Sequence, residues 1–171
     1  MDASALLAAD YTAEELHEGR FLAAEMRDAG LDLAALHGLG YGARELRAAG
    51  FSAALLWQLS YTAARLREAE YTAADLYAAG YPLREMCDAG YPTADLKAVG
   101  FGASDLRAVG VGATELRDSK AFTGRELREG GFTAAAMRDG GFDAKRALAA
   151  GYDAVEATEG GWTLEQLKAA G

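Results

Sequence analysis

A single cysteine, Cys87, rules out an intramolecular disulfide and fits a reducing compartment. Histidine is almost as scarce, with only His17 and His37. Joined by Glu18 or Asp28 they form the one conceivable metal set, and two histidines without cysteine support are too few to signal zinc. Basic charge is also short: 17 Lys and Arg stand against 26 Asp and Glu, for a net charge of -9. That balance argues against a nucleic acid or anionic membrane held through phosphates. No apolar run approaches the roughly 20 residues of a membrane span. The opening MDASALLAAD has neither a basic leader nor a long apolar stretch, so no signal peptide is expected. The glycines never fall into GxGxxG or GxxxxGK patterns, so no phosphate cradle is signalled. No enzyme activity, cofactor, metal or small-molecule substrate is expected.

The sequence does contain a ten-residue repeat along its whole length. Residues 71–81 read YTAADLYAAGY and residues 91–101 read YPTADLKAVGF. Counting from Met1 gives 17 repeats, with one extra residue near 119–121, so residues 1–171 read as one repeat domain without a linker. Position 1 is nearly always aromatic, as in Tyr41, Phe51, Tyr81, Phe122 and Trp162, and every Phe of the chain lies there. Position 2 is usually Thr, Ser, Asp or Gly, and position 3 usually Ala. Position 6 is Leu or Met in nearly every repeat, and position 10 is most often Gly.

Read as a helix, each repeat carries its own start and stop. Thr72 and Asp75 have capping-box spacing, as do Thr12 with Glu15 and Thr123 with Glu126. Tyr71 and Leu76 are placed as a hydrophobic staple across the start. Gly80 falls where the chain must turn left-handed, and Tyr81 then meets Leu76 as in a Schellman ending. So short a helix cannot persist alone, so each repeat must bury its aromatic and its Leu against other repeats. The expected fold is all-α, an α-solenoid of very short helices, one per repeat.

The sequence also resembles two repeat families. ADL at residues 74–76, with Leu and aromatic alternating every five residues, is superficially similar to pentapeptide-repeat proteins. That resemblance implies a right-handed β-solenoid as the alternative fold, and an acidic DNA mimic that blocks a DNA-binding enzyme as a possible role. The inward position two residues before the central Leu, which in that family must be small, here holds Glu14, Arg44, Arg84, Arg125, Lys145 and Glu165. Such charges cannot line a narrow β interior without partners. The whole chain more closely resembles tandem decapeptide proteins of the GFTAAELRAAG type, a likeness that implies no particular activity.

The ends depart from the pattern. MDASALLAAD lacks the aromatic and the Gly, and Ala147 and Ala157 stand where Leu is expected, with Leu148 and Val155 displaced. Terminal repeats of a solenoid are commonly atypical because one face meets water.

Position 7 varies with a period of two repeats. It is Arg27, Arg47, Arg67 and Arg107 in odd repeats, but His17, His37, Trp57 and Tyr77 in even ones. If two repeats make one superhelical turn, those four residues form a ladder on one face, opposite an arginine ladder. Leu55 and Leu59 flank Trp57. The candidate interaction surface is therefore His17, His37, Leu55, Trp57, Leu59 and Tyr77. The expected function is a non-enzymatic scaffold or protein–protein interaction module. The alternative is self-assembly into oligomers or filaments. The ELR segments, such as Glu45–Arg47, are expected to pair between adjacent repeats.

Overall fold

The computed structural model describes residues 2–171. The described residues form 17 short α-helices, one per repeat and of five to seven residues each, and contain no strand. The α-solenoid expectation therefore holds and the β-solenoid alternative does not. Backbone contacts divide the chain into two compact halves, Met1–Gly90 and Tyr91–Gly171.

Capping explains why such short helices form where they do. In the helix Ala73–Ala79 the Thr72 hydroxyl accepts from the Asp75 amide at 3.2 Å, while the Asp75 carboxylate accepts from the Thr72 amide at 2.7 Å. Where position 2 has no hydroxyl, at Leu22, Gly42 and Gly102, the acid three residues on still takes that amide at 2.7 Å. The stop is equally regular. Gly80 adopts φ +82°, its amide donates to the Tyr77 carbonyl, and the Tyr81 amide donates to the Leu76 carbonyl at 3.0 Å. This is the Schellman pattern, closing two carbonyls that a helix end would leave open.

Packing runs between next-but-one repeats. In the N-terminal half the helices of repeats 1, 3, 5, 7 and 9 contact one another in that order, and repeat 6 contacts repeat 8. In the C-terminal half repeats 10, 12, 14 and 16 form one column and repeats 11, 13, 15 and 17 the other. Each half thus stacks alternate repeats on one another, and position 6 is sealed: Leu36, Leu46, Leu56, Leu66, Leu106 and Met137 have no exposed surface. Ala147 and Ala157 are equally buried at that position, so the smaller side chain is accommodated there, and Val155 is left outside at 66% exposure.

The glycine doublets of the C-terminal half combine helix termination with close packing. Gly131 is the left-handed residue, at φ +81°. Gly130 before it lies so close to repeat 11 that a Cβ would meet the Ala103 Cβ at 2.7 Å and the Ser104 amide nitrogen at 2.8 Å. Only a residue without a side chain permits that approach.

Candidate functional site

Position 7 has a defined structural task. Its side chain reaches forward past two repeats and covers the aromatic that opens the third. His17 meets Tyr41 edge-on with ring centroids 4.6 Å apart, His37 meets Tyr61 at 5.4 Å, and Trp57 meets Tyr81 at 4.2 Å. His37 Nδ1 also lies 3.0 Å from the Tyr61 hydroxyl. Arginine performs the same covering, with the Arg47 guanidinium 5.8 Å from the Tyr71 centroid and that of Arg128 5.3 Å from Tyr152.

Arginine adds a second contact. Arg27 donates to the carbonyl of Ala49, Arg67 to that of Ala89 at 3.3 Å, and Arg107 to that of Gly130 at 2.9 Å. Each acceptor is the last carbonyl before the left-handed residue, so a cation meets the negative end of a helix. The ELR charges therefore do not pair as expected between adjacent repeats. Arg44 and Arg47 reach Glu70 two repeats on, and Arg128 reaches Glu156 three repeats on. Arg27 and Arg117 instead pair with their own neighbours Asp28 and Asp118.

The tyrosines beneath are tied to the backbone. The hydroxyl of Tyr41 donates to the Phe21 carbonyl at 2.5 Å, Tyr71 to Phe51 at 2.6 Å, Tyr81 to Tyr61 at 2.7 Å, and Tyr152 to Phe132. Every one of these bonds steps back by two repeats. Burial raises the hydroxyl pKa of all four, to about 12 for Tyr71 and Tyr81, and Glu85 adds to the rise at Tyr81.

The candidate surface residues stand as follows. Trp57 and Leu55 are each 40% exposed and Tyr77 is 52% exposed, whereas Leu59 and His17 are half-buried and His37 is exposed. His17, His37 and Trp57 share one relation, each to the aromatic that opens the third repeat ahead. Among the described residues no three His, Cys, Asp or Glu side chains converge as a metal set, and no helix is long and apolar enough to cross a membrane.

The inserted residue near 119–121 has its own chemistry. Lys120 takes the left-handed turn at φ +56°, leaving Ala121 as the extra residue before Phe122. The direct amide-to-carbonyl closure to Leu116 is replaced by a relay: the Ser119 hydroxyl accepts from the Ala121 amide at 3.2 Å and donates to the Leu116 carbonyl at 2.8 Å. Lys97 then donates to the Ala121 carbonyl at 2.7 Å and to Glu126 at 2.6 Å, and lies 4.6 Å from the Phe122 centroid. The hydrogen bond from Lys97, with the Thr123 amide assisting, holds the Glu126 carboxyl down to a pKa of about 2. The sequence marked the extra residue, but the relay depends on Ser119 facing back into its own helix end, which spacing does not reveal.

A stack of short helices joined at left-handed corners, each repeat bonding to the next but one, defines a short-repeat α-solenoid protein. The chain belongs to the decapeptide repeat family: the family model, a decapeptide repeat region, matches residues 1–66, 60–121 and 106–171. No curated protein and no solved structure matches the chain.

Proposed function

We propose that the protein is a non-enzymatic interaction scaffold that binds a protein partner through the face bearing Leu55, Trp57 and Tyr77. One observation carries this reading. Covering the position-1 aromatic is done equally by Arg47 over Tyr71 and by His17 over Tyr41, yet Trp57 does it while leaving 40% of its surface in water, in a helix whose Leu55 is equally exposed. A large aromatic with an aliphatic neighbour exceeds what the fold requires there and has the chemistry of an interface anchor.

The test is photo-crosslinking from benzoylphenylalanine placed at position 55, with position 135, exposed in the other half, as control. The expected result is a discrete adduct with one protein species from position 55 and none from 135. An adduct with a second copy of this chain would identify the partner as itself and establish the self-assembling alternative. No adduct, or the same adducts from both positions, would overturn the proposal.

A further inference from the structure

The chain is acidic overall, yet one open groove in the C-terminal half has a basic rim. It is lined by Arg117, Lys120, Arg125 and Arg146, with Phe122 and Phe142 at its floor and Asp118 on the same rim. Arg117 is engaged, paired with Asp118 and donating to the Gly140 carbonyl. Lys120, Arg125 and Arg146 are exposed, and their side chains enter none of the ion pairs among the described residues.

These three cations contribute little to their own helices. Lys120 occupies a left-handed position, φ +56°, where most repeats carry Gly and a side chain is strained. Arg125 and Arg146 lie in the first turns of the helices Gly124–Glu129 and Ala144–Ala150, where the helix dipole favours acids. Arg146 stands three residues after the cap Asp143, the place where Glu15, Asp75 and Glu126 complete capping boxes in their own repeats. Other repeats also place cations at such positions, Arg44, Arg65 and Arg84 among them, but here three that enter no ion pair converge on one groove.

We propose that this groove binds an acidic peptide segment of a partner protein, its carboxylates on Lys120, Arg125 and Arg146 and an apolar side chain against the edges of Phe122 and Phe142. Carboxylate is matched by the arginine forks. A short peptide carries about as many charges as the groove has free cations. A nucleic acid would run beyond the groove across a chain of net charge -9. The groove shares no residue with the Trp57 face, so Trp57→Arg leaves it unchanged whatever becomes of that reading.

The experiment is fluorescence anisotropy of the full chain with a labelled peptide DEFDEL, against KKFKKL, DEADEA and a thymidine oligonucleotide. Saturable binding of DEFDEL is expected, weaker for DEADEA, absent for KKFKKL, and reduced by added salt. The R125E/R146E double substitution places acids in helix first turns and should fold, which circular dichroism checks. It is expected to weaken DEFDEL by about tenfold or more and to gain binding of KKFKKL. Equal DEFDEL binding by R125E/R146E, no saturation, or tighter binding of the oligonucleotide than of DEFDEL would overturn the proposal.

Discussion

The Tyr81 hydroxyl donates a 2.7 Å hydrogen bond to the backbone carbonyl of Tyr61, two repeats earlier. Both residues are buried, and the bond fixes the register of one repeat on the next but one. Tyr81→Phe removes the donor and leaves a buried carbonyl unsatisfied. A loss of about 1–2 kcal/mol is expected in urea unfolding. A neutral substitution would mean that packing alone sets the register.

Alkali should open the same contacts. The Tyr71 and Tyr81 hydroxyls are raised from 10 to about 12 by burial, so folding favours their neutral forms. Their contribution is complete below pH 10 and is lost as the pH rises through about 12. Tyrosinate absorbance and circular dichroism, followed together, should show these tyrosines ionising with loss of helix. Ionisation near the ordinary tyrosine pKa with helicity intact would contradict this.

Gly130→Ala is expected to cost about 1–3 kcal/mol, because the new methyl meets Ala103 and Ser104 at less than 3.0 Å. By contrast, Ala49 and Ala69 are buried at the same position of the N-terminal half, so the fold accommodates Ala itself there. Thermal unfolding of G130A against wild type measures the difference.

The insertion gives an acid-dependent prediction. The Glu126 carboxyl is depressed from 4.5 to about 2, chiefly by Lys97, so its stabilisation is present above pH 4.5 and lost as pH falls toward 2. Lys97→Met should weaken that acid sensitivity and lower stability at neutral pH. The ion pair itself is about one-third exposed, so the carbonyl cap on Ala121 accounts for much of the effect. An unchanged acid transition in K97M would remove Lys97 from this role. Ser119→Ala should cost about 1–2 kcal/mol through the broken relay.

Much of the fold was legible because each repeat states its own start and stop. Thr72, Asp75, Leu76, Gly80 and Tyr81 name a cap, a box, a staple and a terminator, all local in sequence. The two-repeat period at position 7 was legible too, but its meaning was not. The alternation looked like two surface ladders, whereas His17, Arg47 and Trp57 all cover the aromatic that opens the third repeat ahead. That relation depends on how the columns stack, a non-local property. Gly130 was hidden for the same reason: its neighbour Ala103 belongs to the repeat before last. The groove cations were not legible as a group, because charge recurs at their positions along the chain and their convergence required the stacking of repeats 13 and 15.

Trp57 has two roles that one substitution can separate. Trp57→Ala would uncover Tyr81 and confuse folding with binding. Trp57→Arg keeps the cover, since arginine lies over the equivalent Tyr71, but removes the apolar surface. The most direct measurement is therefore the photo-crosslinking yield from position 55 in W57R compared with the chain that retains Trp57. The account predicts that the adduct disappears while the unfolding midpoint changes little. An undiminished adduct in W57R, with the fold intact, would contradict it.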